Sequence, residues 1–131
     1  MHDVHGMDLL QYETGGFYIL DRGYVDYDRL YNIHRKGAYF VTRGKNNFLF
    51  VRIYSQKSDK SNGVLCDQII RLDGFYSRKA YPEKFRRIKF YDKEERRTFV
   101  FLTNNMELPA KDIALLYQYR WRVELFFKWI K

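Results

Sequence analysis

The stretch Tyr117-Gln-Tyr-Arg-Trp-Arg-Val-Glu-Leu-Phe-Phe-Lys-Trp-Ile-Lys131 contains neither glycine nor proline, and it follows Leu108-Pro109. Proline near the first turn of a helix costs little, because the N–H that it lacks would have no intrahelical acceptor there. The stretch therefore predicts a helix from about Pro109 to Lys131. At about 100° per residue its apolar side chains share one arc, which is typical of a face packed on a core.

Four polar side chains follow the border of that predicted apolar face. Tyr117, Arg120, Glu124 and Lys131 are spaced so that a helix would place them within about 60° of one another. A carboxylate, two cations and a phenol in such a row could bind a metal ion and phosphate groups. The alternative is an ordinary amphipathic helix in which Arg120 and Glu124 form an i,i+4 ion pair that contributes about 0.2–0.5 kcal/mol.

The spacing Tyr-x2-Arg-x3-Glu-x6-Lys resembles the signature that closes the catalytic domain of DDE transposases of the hairpin-forming, cut-and-paste insertion-sequence group. The resemblance implies that Glu124 is a catalytic carboxylate that binds metal. It also implies that Arg120 and Lys131 hold DNA phosphates, and that Tyr117 adds a hydrogen bond near the scissile end of the DNA.

A second resemblance lies upstream. Phe17-Tyr-Ile-Leu-Asp-Arg-Gly-Tyr-Val-Asp26 is similar to the segment that carries the second catalytic aspartate of the same group, which implies that Asp21 is a catalytic metal ligand. From the residues alone, Asp21 ends a buried apolar run, a place where α/β folds often carry functional groups. A turn residue or the cap of the next helix is the alternative for Asp21.

The resemblance also implies a metal cofactor. The family's chemistry uses three carboxylates around two Mg²⁺ (or Mn²⁺) ions that lie about 3.5–4 Å apart, and Mg²⁺ prefers oxygen ligands. Asp21 and Glu124 would be two of the three carboxylates. The first aspartate has no counterpart, because Asp3 and Asp8 lie in a predicted helix. We therefore expect this chain to be the latter part of a catalytic domain and inactive in strand cleavage alone.

Short apolar runs between turn residues predict the strands of an α/β fold. Residues 17–20, 38–42 and 98–102 are expected to form the core sheet, with helices at about 25–36 and 109–131 packed on it. The expected fold is a partial ribonuclease H-like core that lacks its first strands. An unpaired sheet edge of that kind would invite pairing with another chain.

The division that we expect is a core of residues 1–44 and 98–131 and a β-rich insertion of residues 45–97. Within the insertion, Phe85-Arg-Arg-Ile-Lys-Phe-Tyr91 alternates apolar and basic side chains, which predicts one packed face and one basic face. The candidate DNA contacts of that region are Arg78, Lys79, Arg86, Arg87 and Lys89. A base-stacking role, which a Trp of the insertion fills in some members of the resembled group, stays open among Phe75, Tyr76 and Tyr81.

A basic turn follows the strand at 38–42. Its Thr-Arg-x-Lys segment is similar to one that touches the DNA backbone in the resembled group, which implies that Arg43 and Lys45 contact phosphates. Such contacts position a duplex without reading its sequence. Side chains that are simply solvated in a turn are the alternative.

The charge of the chain agrees with a DNA-binding protein, and its composition argues against a disulfide-stabilised protein and against a membrane-spanning helix. The 131 residues carry a net charge of +8, and residues 34–60 and 78–97 hold most of the basic excess. Cys66 is the single cysteine, so no internal disulfide is possible, and no apolar run approaches the roughly 18–20 residues of a membrane span. A cytoplasmic setting in bacteria, at the nucleoid when bound to DNA, is expected.

The leading hypothesis is a segment of a DNA transposase catalytic domain that works by metal-dependent phosphodiester hydrolysis and strand transfer at transposon ends. The expected partners are DNA and, in the full-length protein, a second copy of the same chain. The alternatives are a ribonuclease H-like nuclease that does not transpose and a non-catalytic basic α+β module that binds nucleic acid.

Overall fold

A computed structural model describes residues 12–20, 26–44, 48–58 and 60–119, together with the backbone of residues 128–130. Within these residues the fold is α/β. The strands are β1 (Phe17–Leu20), β2 (Tyr39–Arg43), β3 (Phe50–Gln56), β4 (Val64–Leu72), β5 (Phe85–Asp92), β6 (Arg97–Thr103) and β7 (Lys128–Ile130). The helices are α1 (Tyr27–Arg35), α2 (Phe75–Ala80) and α3 (Ala110–Gln118), with a 3₁₀ turn at Lys60–Asn62.

The strands form one mixed sheet in the order β3-β4-β5-β6-β2-β1-β7. β1 is parallel to both β2 and β7, and the other neighbouring strands are antiparallel. This is the α/β architecture of the partial ribonuclease H-like core that the sequence predicts. Strands β3 to β5 continue the same sheet, and the division into a core and an insertion stays a prediction.

Helices cover both faces of the sheet. Alternate residues of β1 point to opposite sides: Tyr18 and Leu20 pack with α1, and Ile19 packs with α3. Because both faces of β1 are covered, this strand has no solvated face, which explains why its sequence is a continuous apolar run.

The N-terminus of α1 is capped by Asp26. One oxygen of its carboxylate accepts hydrogen bonds from the backbone N–H groups of Asp28, at 3.1 Å, and Arg29, at 3.3 Å. The helix ends before Gly37, whose φ of 77° is the left-handed conformation that glycine adopts without strain. The cap position that was an alternative for Asp21 is therefore filled by another residue.

The prediction of one helix from Pro109 to Lys131 is wrong. α3 ends at Gln118, and residues 128–130 form β7, which pairs in parallel with β1. The edge of β1 that faces away from β2 carries unpaired N–H and C=O groups, and β7 satisfies them. The predicted open edge next to β1 is therefore occupied. Tyr117 and Lys131 do not belong to one continuous helix.

Candidate functional site

The strand ends place Arg43 at the carboxyl edge of the parallel pair. Ile19 of β1 lies beside Val41 of β2, so both strands end at the same edge, β1 at Leu20 and β2 at Arg43. Asp21 follows Leu20 along the chain and lies outside the described residues. The sequence predicts functional groups at the edge where β1 ends, and Arg43 lies at that same edge.

A groove of about 580 Å³ opens at this edge. Arg43 and Tyr117, which come from two separate motifs, both line it. The other cations of its wall are Lys93, Arg97 and Lys111, and its acids are Asp92, Glu94 and Glu95. The near balance of charges means that the groove attracts an anion only where its cations are free of carboxylate partners.

A row of aromatic rings forms the floor between the two predicted residues. Phe99 stacks on Phe101, with ring centroids 5.8 Å apart, and Phe101 contacts Tyr117 at 5.2 Å. Tyr117 is buried, with only 3% of its surface exposed. The register explains the row, because Arg43 pairs with Phe101 across β2 and β6, and Phe99 is two residues along on the same face.

Two guanidinium groups lie over the same ring. The Cζ atom of Arg43 is 4.8 Å from the centroid of Phe99, and that of Arg97 is 4.7 Å from it. Contacts of this length are attractive because the face of the ring is electronegative. Neither Arg97 nor Phe99 is among the site residues predicted from the sequence. The antiparallel pairing of residues 39–43 with 97–103 is the signal that would have found them.

The hairpin turn between β5 and β6 closes one side of the groove. Oδ1 of Asp92 accepts the backbone N–H groups of Glu94, at 2.9 Å, and Glu95, at 3.2 Å. Its Oδ2 accepts a hydrogen bond from the side-chain amide of Gln118, at the end of α3. The carboxylate of Asp92 is thus used to hold the turn and to fasten it to the helix that carries Tyr117.

The predicted basic face of β5 is wrong. Arg86 and Arg87 are buried, with 3% and 8% of their surfaces exposed, and Arg86 forms an ion pair with Asp67. Lys89 is partly buried, while Arg78 and Lys79 are exposed on α2. The ion pair with Asp67 and the hydrogen bonds to the loop before α3 bury Arg86, whereas packing on Phe50 buries Arg87.

The three candidates for base stacking differ in the exposed fraction of their side chains. Tyr81 is fully buried, whereas 68% of Phe75 and 82% of Tyr76 are exposed. Burial raises the pKa of the Tyr81 phenol, and the nearby Glu83 and Tyr31 act in the same direction. Tyr81 therefore belongs to the core. A base-stacking role for Phe75 or Tyr76 stays a prediction.

The predicted metal ligands, Asp21 and Glu124, lie outside the described residues, as do Lys45, Arg120 and Lys131. Within the described residues, no three His, Cys, Asp or Glu side chains are grouped so that they could hold a metal ion. The donors of the two predicted ligands are carboxylate oxygens, which are the chemistry that Mg²⁺ requires.

The helices in the described part of the chain include none with the length and apolar character needed to cross a membrane.

Comparison with known proteins was made along the whole sequence. The model of a family described as the transposase DDE domain matches residues 1–131. "Putative transposase y4zB" from Sinorhizobium fredii is 35% identical over 123 residues, which cover 91% of this chain and 34% of that protein. "Probable transposase for insertion sequence element IS5377" from Geobacillus stearothermophilus is 29% identical over 116 residues, which cover 85% of this chain and 29% of that protein.

This chain thus spans about a third of the length of the curated relatives that it matches. No solved structure matches it at a significant level. Since the family match extends over every residue, the chain belongs to the transposase DDE domain family.

Proposed function

We propose that this chain is a segment of a DNA transposase catalytic domain, whose reaction is metal-dependent phosphodiester hydrolysis and strand transfer at transposon ends. One observation supports this most directly. Arg43 and Tyr117, assigned from motifs far apart in sequence, line one groove at the sheet edge where β1 ends before Asp21. A non-catalytic module gives no reason for the two motifs to meet there.

Different residues of this chain would bind the metal ions and the DNA. Asp21 and Glu124 would hold the Mg²⁺ ions. When bound, these ions activate the attacking oxygen and stabilise the leaving oxygen. Arg43, with Lys45, Arg120 and Lys131, would hold phosphates of the DNA backbone. Tyr117 would add a hydrogen bond near the scissile end.

The activity and assembly of the whole protein are part of the proposal. Two carboxylates of the expected three can be assigned in these 131 residues, and we propose that this chain alone does not cleave DNA. The full-length protein would act as a homodimer on transposon ends in the bacterial cytoplasm, at the nucleoid.

The metal assignment is tested by titrating the chain with Mn²⁺ and following the electron paramagnetic resonance signal of the free ion. Wild type is expected to bind Mn²⁺, and Asp21→Asn and Glu124→Gln should each weaken binding at least about tenfold, because affinity follows the number of charged ligands. Asp112→Asn, in the exposed first turn of α3, is the matched control. Equal affinity in all four proteins would contradict the proposal and favour a non-catalytic nucleic-acid-binding module.

Cleavage is tested by incubating supercoiled plasmid with the chain and Mg²⁺ or Mn²⁺. We expect no nicking. Nicking that disappears in Asp21→Ala would refute the proposed inactivity of this chain and support its catalytic assignment.

A further inference from the structure

We infer that Arg97 is a second phosphate-binding residue of the groove, which acts as a pair with Arg43 on the shared ring of Phe99. This inference rests on the proposed function, because it takes DNA as the ligand. It adds a residue that neither sequence motif contains.

The geometry of the pair suits one DNA strand. Both guanidinium carbons lie within 5 Å of the Phe99 centroid, so they are separated by less than about 10 Å. A DNA strand carries one negative charge per about 3.4 Å of helix axis. Two cations at this separation can therefore contact neighbouring phosphates of a single strand.

The Arg97 guanidinium has no acidic partner among the described residues. Asp92 faces Arg97 directly across β5 and β6, yet its two oxygens accept hydrogen bonds from the turn amides and from Gln118. Among the described residues, no carboxylate oxygen lies within 4.0 Å of the Arg97 guanidinium. Arg97 is also exposed. Its positive charge thus faces the groove without a partner of opposite charge in the part of the chain that the structure describes.

The ring of Phe99 orients the two guanidinium groups before an anion binds. A planar guanidinium held over an aromatic ring loses less freedom when it binds, and the N–H donors at its periphery can form paired bonds to a phosphate. Phe99 is held in turn by stacking on Phe101, beside the buried Tyr117. The pair is therefore anchored to the core rather than placed on a loop.

The test measures binding of a fluorescein-labelled DNA duplex by anisotropy between 50 and 200 mM salt, for the whole chain and its variants. Arg97→Gln and Arg43→Gln should each reduce the slope of log K against log salt by about 0.9, the value for one phosphate contact. The matched control is Arg35→Gln. Arg35 also lies over an aromatic ring, Tyr31 at 5.8 Å, but it is at the end of α1 and outside the groove.

Two conservative variants distinguish a specific contact from charge alone. Arg97→Lys should keep the salt slope but lower affinity about threefold or more, because lysine is a point charge that forms no paired bonds. Phe99→Leu should also lower affinity at an unchanged slope, because both cations remain while the ring that orients them is lost.

The outcomes separate the inference from the function on which it rests. If Arg97→Gln behaves like Arg35→Gln while Arg43→Gln reduces the slope, the inference is wrong and the groove is still the DNA site. If Arg97→Lys binds as tightly as wild type, Arg97 contributes only charge and the paired contact is refuted. If the chain binds no DNA at any salt concentration, the proposed function fails, and the inference fails with it.

Discussion

Two pairs of arginines on neighbouring strands have opposite roles in this molecule. Arg86 and Arg87 of β5 are buried. In contrast, Arg43 is the last residue of β2 and Arg97 the first of β6, and both line the groove. All four come from segments that are basic in the sequence. The comparison shows that the density of basic residues in the sequence does not locate an accessible basic surface, because Arg43 and Arg97 lie at the ends of inner strands, whereas Arg86 and Arg87 lie within one.

The buried pair holds the fold together. Arg86 contacts Asp67 with two hydrogen bonds, Nε to Oδ1 at 2.8 Å and Nη2 to Oδ2 at 2.7 Å. Its Nη1 also donates to the backbone carbonyls of Asn105, at 3.1 Å, and Leu108, at 2.6 Å. Arg86 therefore joins β4 and β5 to the loop that leads into α3, and so helps to fix the helix that carries Tyr117.

Arg87 is used differently from Arg86. Its guanidinium lies 4.9 Å from the ring centroid of Phe50, and its Nη1 donates to Gln68 Oε1 at 3.1 Å and to Cys66 Sγ at 3.6 Å. These contacts connect β5 to its neighbour β4 and, beyond β4, to β3. Neither arginine of β5 is available to DNA.

The largest effect that we expect concerns the buried ion pair. Arg86→Ala should lower the free energy of unfolding by about 3–5 kcal/mol, because the carboxylate of Asp67 would remain buried without its charge partner. Urea denaturation of the chain measures this change. The control is Arg97→Ala, which should change stability by less than about 0.5 kcal/mol.

A double variant sharpens the first prediction. Asp67→Leu combined with Arg86→Met removes both charges and should recover most of the stability lost in Arg86→Ala, since a buried pair replaced by apolar side chains is often neutral. If Arg86→Ala is as stable as Arg97→Ala, the contrast between the two pairs of arginines is refuted.

Strand positions could be predicted from the sequence because local residue types determine them. The apolar runs at 17–20 and 38–42 predict two strands, and β1 and β2 are found at Phe17–Leu20 and Tyr39–Arg43. The faces of β5 could not be predicted. Alternation along a strand separates two faces, but only the packed structure shows that Asp67 and Phe50 bury the arginines on both of them.

The end of α3 could not be predicted for a similar reason. Periodicity and the absence of glycine and proline favour a helix beyond Gln118, but residues 128–130 pair with β1, which is distant in sequence. Contacts of this kind override local preference. Of the residues that line the groove, Arg43 and Tyr117 come from motifs in the sequence, whereas Arg97 depends on the register of the sheet, and their function stays a prediction.

A smaller effect concerns a buried polar group without a partner. The hydroxyl of Tyr81 makes no hydrogen bond within the described residues, in contrast to the four hydrogen bonds of Arg86. Tyr81→Phe should therefore raise the free energy of unfolding by about 1 kcal/mol, because it removes an unsatisfied buried hydroxyl. Chemical denaturation at pH 7 measures the gain, and an unchanged or lower stability would contradict it.

The same residue predicts a pH dependence. Burial raises the pKa of Tyr81 above its ordinary value of 10.0, so the unfolded chain releases this proton first. The stabilisation is complete below about pH 10 and is lost as the pH rises above that value, at up to about 1.4 kcal/mol per pH unit. In Tyr81→Phe this alkaline loss should be shallower. Part of it should remain, because burial also raises the pKa of Tyr27.

The smallest effect is expected beside the groove, at the residue before Arg97. Arg96 has a φ of 55°, a left-handed conformation that costs a residue with a Cβ about 1–2 kcal/mol. Arg96→Gly should stabilise the chain by about 0.5 kcal/mol, since glycine relieves this cost but loses more freedom on folding. Arg96→Ala removes the same charge and keeps the strain, so the stability difference between these two variants measures the strain less the extra folding entropy that glycine loses.

The same two variants complete the comparison of the arginines. Arg96 is exposed but does not line the groove, whereas its neighbour Arg97 does. We expect both Arg96 variants to leave the salt slope of DNA binding within about 0.3 of wild type, against a reduction of about 0.9 for Arg97→Gln. Equal reductions at positions 96 and 97 would mean that DNA responds to the basic turn as a whole. Because Arg96 belongs to the turn and Arg97 begins β6, a difference between them would assign the phosphate contact to the strand residue that lines the groove.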